Sequence, residues 1–407
     1  MCKNILKFTA IVLLLICIVA VPVFGVSFYD SPSFFSEEPI LASRAFGGGT
    51  AVYLTFSDEN KALINSENLN KTADILSNRF RAMGYVDTEI TVSDHDIRLD
   101  LSVKEYIDSI VAQIATKGEW QFTNATMSDT ICDGSMVQDA YVSTNANGGY
   151  GVTLEFTPEG QTKFAEKTSS ASVSSSYIYL LLDGAYYASA QVSAGSVGEK
   201  FSFGQFGDYA DAAKCATIIK NGQLPSDVVI EKTENIPATL SGAKQILLFS
   251  ALALGFLICC VVLILKGKLS GLFPILSLIA NIAVFLTAFA NSSILLNLAT
   301  LITMAVCIVL STLFSAYAVS VIGSSVKEKG KISSQDMQKL GKINVKALLA
   351  HAILLAISIL GLMVSRGNIT YIFKTLMLFA CANAIFHFVF VYFPIHTLKE
   401  VQTLQKH

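Results

Sequence analysis

The chain has 407 residues, of which 52% are hydrophobic and only 15% are charged, and its formal net charge is −2. This composition excludes a cytosolic enzyme and a disordered chain. Residues 269–326 contain no Asp, Glu, Lys or Arg, and about 20 apolar residues suffice to cross a bilayer core. The sequence therefore predicts a membrane protein, with one long polar stretch, Ser27–Lys244, that folds in water.

Six apolar segments are long enough to be membrane spans. They are Ile5–Val26, Gln245–Leu265, Gly271–Ala290, Leu295–Ile322, Ala347–Val364 and Tyr371–Pro394. Lysines cluster after the second segment and between the fourth and the fifth. Because cytoplasmic loops are enriched in Lys and Arg, we expect a multi-pass plasma-membrane protein with both termini in the cytoplasm and the polar stretch outside.

The predicted organisation has four parts. Residues 1–28 form the first transmembrane helix, 29–243 the extracytoplasmic domain, 244–398 a bundle of five helices and 399–407 a cytoplasmic tail. A cleaved signal peptide is the alternative for the first segment, because Val23-Phe24-Gly25 resembles a cleavage site.

The polar stretch is strongly acidic. It holds 28 of the 31 acidic residues and 15 of the 29 basic residues, a net charge of −13. An acidic surface repels the phosphate backbone, so the sequence predicts no nucleic-acid partner.

Two α+β units are predicted within the external domain, each in the order βαββαβ of a ferredoxin-like, split-βαβ fold. In the first, over 51–123, the strands are Ala51–Phe56, Glu89–Val92, Ile97–Leu101 and Trp120–Thr123. In the second, over 151–231, they are Gly151–Phe156, Tyr177–Leu182, Ala185–Ala190 and Val228–Glu231. Residues 124–150 and 191–203 are predicted to be irregular insertions.

The sequence predicts no enzyme, no metal site and no cofactor. His95 is the only histidine of the external domain, and there is no phosphate-binding loop of the Walker type. Cys132 and Cys215 lack metal-ligand spacing. They are either bonded to each other or buried as two free thiols.

Several short motifs in this order are similar to those of the SecD family, a subunit of the bacterial SecDF protein-export complex with an RND-type membrane fold. They are Phe46–Gly49 (FGGG), Asn78–Phe80 (NRF) with Gly84, Leu154–Gly160 (LEFTPEG), Tyr179–Gly184 (YLLLDG), Gly222–Pro225 (GQLP), and Thr239-Leu240 with Gly242. The positions that carry the resemblance are Gly48, Gly49, Arg79, Gly84, Gly160, Asp183, Gly184, Gly222, Leu224 and Pro225.

The chain departs from this family at Ala45, where the family has an aspartate before the glycine pair, and in the fifth span, which has no good counterpart of the family's TTL stretch. The departure that bears on mechanism lies in the fourth span. An ungapped comparison places Ser315–Ala318 at the family's VDAN motif, whose aspartate is linked to proton coupling, so Ala316 stands where the family has the acid. None of the six apolar segments contains Asp or Glu. The chain is thus a divergent SecD-like protein whose own use of a proton gradient is in doubt.

The resemblance implies an accessory subunit of the protein translocase that binds secretory polypeptide outside the membrane and aids its export. The expected partners are a SecF-like subunit that supplies energy coupling, the Sec translocation channel, unfolded secretory polypeptide and the lipid bilayer. The alternative is a non-transporting membrane scaffold or receptor that retains the SecD frame.

Two polar residues within the last span are candidates for a function, since charge is costly in hydrocarbon. Lys374 can extend its stem to the interface, and His387 can pack as a neutral, hydrogen-bonded side chain. The basic segment Lys327–Lys346 is a topology determinant or an amphipathic helix on anionic lipid.

Overall fold

The computed structural model describes residues 2–25, 33, 41–85, 87–144, 148–169, 177–192, 198–291, 293–329, 333–365 and 367–397. The chain forms two compact units: a membrane unit, Met1–Gly47 with Ala238–His407, and a polar domain, Gly48–Pro237. The predicted tail 399–407 and the predicted boundary at residues 28 and 29 lie outside the described residues. The four-part division of the chain stays a prediction.

Eleven α-helices occur in the described residues. They are α1 (Cys2–Phe24), α2 (Arg44–Gly47), α3 (Ser66–Ala82), α4 (Ile107–Ile114), α5 (Pro158–Thr168), α6 (Tyr209–Asn221), α7 (Ala243–Gly267), α8 (Leu272–Ala290), α9 (Leu298–Lys329), α10 (Ser334–Val364) and α11 (Asn368–His387).

Eleven β-strands occur there too, all in the polar domain. They are β1 (Gly49–Phe56), β2 (Glu89–Val92), β3 (Ile97–Leu101), β4 (Trp120–Thr123), β5 (Thr130–Asp133), β6 (Val137–Thr144), β7 (Tyr150–Phe156), β8 (Tyr177–Leu182), β9 (Ala185–Gln191), β10 (Lys200–Phe206) and β11 (Val228–Ile236).

The membrane unit is an α-helical bundle. Among the described residues, the five segments α7, α8, α9 up to Ile322, α10, and α11 extended to Thr397 are long and apolar enough to cross a membrane. The apolar part of α1, Thr9–Phe24, is shorter. A helical membrane bundle with an α+β domain is therefore confirmed, while the number of six spans stays a prediction.

The basic segment before the fifth predicted span is not a separate interfacial helix in its described part. α10 begins at Ser334 and runs without a break through Lys346 into the apolar segment. Ser333 and Asp336 form a capping box at its start, in which each side chain satisfies the backbone N–H of the other residue.

One layer of the polar domain, here called the base, is a four-stranded antiparallel sheet in the order β11-β1-β3-β2. Its core is formed by side chains of β1, β3, α3 and α4 that are almost completely buried: Val52, Leu54, Phe56, Leu69, Leu76, Phe80, Leu99 and Val111. Each fully buried Leu or Phe contributes about 1.5–3 kcal/mol, so this cluster fixes how the two helices lie on the sheet.

The predicted closing strand of the first unit was wrong. Trp120–Thr123 pairs with β5 and β8 in another sheet. The strand beside β1 is β11, whose residues 228–236 pair with Gly49–Phe56 across one β-bulge. The base is thus a split-βαβ layer closed by a strand about 100 residues further along the chain.

The inserted part, here called the head, comprises β4–β10 with α5 and α6. It contains a four-stranded sheet, β5-β4-β8-β9, and a three-stranded sheet, β10-β7-β6. The predicted second βαββαβ unit is therefore wrong in topology. The regions predicted to be irregular hold β5, β6 and most of β10.

Aromatic packing explains why β4 belongs to the head. The ring of Phe122 lies edge-on to Phe203, with 4.9 Å between centroids, and to Phe201 at 6.0 Å. Phe164 of α5 packs against Phe201 and Phe156 in the same core. These rings draw β4 into the head core, away from the base sheet that precedes it in sequence.

Candidate functional site

The chain passes between base and head twice, and the two crossings run side by side. It leaves the base after α4 through residues 115–119, and it returns after α6 through residues 221–226. The backbone N–H of Leu224 donates to the carbonyl of Lys117 at 2.8 Å. These two segments, together with Arg79 and the β8–β9 turn, are here called the junction.

The side chain of Arg79 lies inside the junction and is completely buried. Its Nη1 donates to the carbonyl oxygens of Ile114 at 3.0 Å and Thr116 at 2.6 Å. Its Nη2 donates to the carbonyl of Gly222 at 2.6 Å and, more weakly, to that of Lys117 at 3.4 Å. One side chain of the base therefore binds both crossings at once.

The positive charge of Arg79 is stabilised by the dipoles of backbone carbonyl groups. All four of its hydrogen bonds go to backbone carbonyls. Burial therefore lowers the pKa of Arg79 to about 10, against a smaller raising effect from Asp183. The guanidinium remains charged at neutral pH, and its hydrogen bonds to carbonyl oxygens offset most of the free-energy cost of burying it.

Gly118 permits this close approach. Its φ is +74°, and a Cβ atom there would lie 2.2 Å from Nη2 of Arg79. Gly222, at φ +78°, ends α6 by donating its N–H to the carbonyl of Ile218 at 3.2 Å. Both glycines adopt backbone conformations that a side chain would strain.

Asp183 attaches the first crossing to the head. Asp183 and Gly184 both have positive φ, as a two-residue I′ hairpin turn requires. The N–H of Glu119 donates to Oδ1 of Asp183 at 2.8 Å, and the N–H of Asp183 donates to the carbonyl of Glu119 at 2.7 Å. The predicted hairpin therefore also orients the chain that enters β4.

The structure brings together six of the ten SecD-like positions, and the other four support the fold elsewhere. The six that lie at the junction are Arg79, Asp183, Gly184, Gly222, Leu224 and Pro225. Gly84 has φ +92° at the end of α3. A Cβ at Gly49 would lie 1.9 Å from the carbonyl of Leu101, and one at Gly160 would lie 2.0 Å from that of Met136. Gly48, at φ +71°, precedes β1.

A groove in the head lies between the outer strands of its two sheets. β9 pairs only with β8, and β10 only with β7, among the described strands. The cavity between them has a volume of about 570 Å³. Tyr177 and Tyr186 lie at this groove with more than half of their surface exposed. Sequence reasoning missed the groove because β10 was predicted to be irregular.

The membrane unit contains a buried cluster of polar side chains centred on Asn383 of α11. Its Oδ1 accepts hydrogen bonds from Asn281 Nδ2 of α8 at 3.1 Å and from Ser311 Oγ of α9 at 2.9 Å. Its Nδ2 lies 2.6 Å from Nε2 of His351 on α10. Asn383 thereby connects four helices.

The hydrogen-bond directions define the state of His351. Its Nδ1 faces the carbonyl of Ala347, which can only accept, so Nδ1 carries the proton. Nε2 is then free to accept from Asn383, as a neutral imidazole does. The two predicted intramembrane candidates lie outside this cluster. His387 bonds Asn344 at 2.9 Å, and Lys374 lies 4.9 Å from the ring of Tyr371.

The position that the ungapped comparison places at the SecD motif lies in apolar surroundings. Ala316 of α9 packs in a core cluster with Cys259, Leu263 and Leu278. Cys132 and Cys215, in the head, are both free and buried, and burial raises the pKa of the Cys215 thiol to about 12.

These features define a multi-pass membrane protein with the SecDF fold. A crystal structure titled as SecDF in a super-membrane-facing form matches 98% of this chain and 58% of its own length, with a TM-score of 0.76 and 19% identity. The family model described as the SecDF P1 head subdomain matches residues 110–226, which coincide with the head and both crossings.

Two curated relatives with similar sequences are SecD subunits as well. The chain is 26% identical over 215 residues to protein translocase subunit SecD of Sebaldella termitidis, covering 52% of each protein. It is 24% identical over 226 residues to the SecD subunit of Acidaminococcus fermentans, covering 55% of this chain and 54% of the relative. The chain spans about half the length of these relatives. Over that half, and at low identity, the chain is similar to the SecD family.

Replacing Arg79 should uncouple the junction. We expect Arg79→Met to destabilise the head by about 3–5 kcal/mol, because four carbonyl oxygens lose their donor in a buried site. The fluorescence of Trp120, the only tryptophan and a residue of the head core, reports unfolding of the full-length protein. Arg81→Met, two residues further along α3 and exposed, is the matched control. Equal stability of both variants would contradict this role.

Replacing Asn383 should loosen the bundle. Asn383→Leu keeps the side-chain volume and removes partners from Asn281, Ser311 and His351, so we expect a loss of about 1–2 kcal/mol. The midpoint of thermal unfolding in mild detergent measures this loss of stability. Cys381→Leu, at an exposed neighbouring position, is the control. A midpoint unchanged from wild type would show that the cluster adds no stability.

Proposed function

We propose that this protein is a SecD-like accessory subunit of the bacterial protein translocase, which binds secretory polypeptide outside the membrane and aids its export. Similarity to the SecD family carries this proposal, since both matched relatives are named protein translocase subunit SecD. The positive-inside pattern supports cytoplasmic termini and an external polar domain. Catalysis is no part of the proposal, because the sequence offers no nucleophile with a base and no cofactor site.

The groove between β9 and β10 is the proposed capture site. An extended peptide can pair with an unpaired strand edge through its backbone alone, which suits clients of many sequences. Tyrosine adds contact area with little loss of side-chain freedom, and Tyr177 and Tyr186 present their rings there. Backbone pairing with aromatic contacts would hold a chain without reading its sequence.

Energy coupling is proposed to come from a SecF-like partner. The apolar segments contain no carboxylate, and Ala316 fills the place of the family's acid with packed hydrocarbon. Asn383 and His351 bond each other in the neutral state, and Asn383 also accepts from Asn281 and Ser311. We therefore expect the protein reconstituted alone to show no activity that depends on a proton gradient.

The alternative is a non-transporting scaffold or receptor with the SecD frame, and the missing acid favours it. Capture of polypeptide separates the two. Full-length protein in nanodiscs should bind reduced, carboxymethylated α-lactalbumin, measured by fluorescence anisotropy. Tyr177→Ser with Tyr186→Ser should weaken binding about 5- to 30-fold, as expected for truncated aromatic contacts of 1–2 kcal/mol.

Tyr106→Ser is the matched control, because Tyr106 is 80% exposed but belongs to the base. Wild-type affinity in this control and weakened binding in the double variant would support the groove as capture site. Binding that the double variant retains in full would exclude the groove. No binding by the wild type would favour the scaffold.

A further inference from the structure

A cavity of about 400 Å³ lies between α10 and α11 in the membrane unit. Its walls are mostly hydrocarbon and aromatic, from Leu348, Phe388 and Tyr392. Its polar part is the pair Asn344 and His387, joined by a hydrogen bond of 2.9 Å. Nδ2 of Asn344 is buried and has no hydrogen-bond partner within the described structure.

Two features of the backbone keep this cavity open. At Gly341 of α10 a Cβ atom would meet nothing within 4 Å, so the glycine leaves space that a larger side chain would occupy. On the other wall, Phe388–Tyr392 forms a π-helical turn directly after His387. Such turns widen a helix locally and occur often at functional sites.

A second groove continues the first along α10 and is basic. It is lined by Gln338, Lys342 and Lys346, and it shares Gly341 and Val345 with the cavity. Both lysines are exposed, and neither makes an ion pair in the described residues. A cationic rim thus adjoins a hydrocarbon-lined cavity where the apolar part of α10 begins.

We propose that this continuous groove is a binding site for one anionic phospholipid. The phosphate lies between Lys342 and Lys346, one acyl chain enters the cavity beside Leu348 and Phe388, and the free N–H of Asn344 donates to an ester carbonyl. Basic pockets between membrane helices select anionic headgroups in this way. The site is independent of the export role, since it uses no residue of the junction or the head groove.

Native mass spectrometry of the full-length protein tests the site, with phosphatidylglycerol and phosphatidylcholine of the same acyl chains as the two probes. The wild type should retain phosphatidylglycerol selectively. Lys342→Gln should weaken its binding about 5-fold and the pair Lys342→Gln/Lys346→Gln about 30-fold, at about 1 kcal/mol per lysine. Lys266→Gln/Lys268→Gln, exposed lysines elsewhere in the membrane unit, should bind as the wild type does.

A second pair of variants tests the part of the site that is proposed to bind the acyl chain. Gly341→Leu should fill the cavity and abolish selective binding, while Gly255→Leu, at another glycine with free space around its Cβ, should not. Equal retention of the two lipids by the wild type, or equal losses in the two lysine pairs, would overturn the proposal. Displacement of the lipid by soluble glycerol phosphate would overturn it too, because it would assign the site to a free phosphate.

Discussion

Burial of a single guanidinium is the constraint on which the architecture of the polar domain depends. Arg79 is fully excluded from water, and its hydrogen bonds go to main-chain carbonyls of both segments that join base and head. A buried charge without partners costs several kcal/mol, so the crossings must stay where their carbonyls meet it. Gly118 and Gly222 supply the backbone geometry that makes this arrangement fit.

In the membrane unit, too, one buried polar side chain joins several elements, but this side chain is uncharged. Asn383 satisfies groups from three other helices, with His351 held as an uncharged imidazole. Hydrogen bonds replace ion pairs here, which is consistent with spans that carry no acid. This neutral network agrees with the proposal that a partner subunit supplies energy coupling.

Local signals in the sequence predicted most elements but not their pairing. The apolar segments gave the helices α7–α11, and Asp183-Gly184 predicted a hairpin turn that the structure contains. The prediction of the base sheet failed because its fourth strand, Val228–Ile236, pairs with β1 at the other end of the domain. Local sequence patterns do not indicate pairing between strands so far apart in the chain. Trp120–Thr123 lay nearer in sequence, yet its aromatic side chains belong to the head core. The resemblance to SecD singled out Arg79, whereas its burial and its four carbonyl partners became visible only once both crossings were placed.

Affinity purification from native membranes in mild detergent, followed by mass spectrometry, tests the central claim most directly. The claim is that this SecD-like protein works as a subunit of the translocase, with coupling residues supplied by a partner. The predicted result is recovery of the Sec channel together with a SecF-like protein that carries an acidic residue in a membrane span. Recovery of neither, from membranes in which the channel is intact, would contradict it.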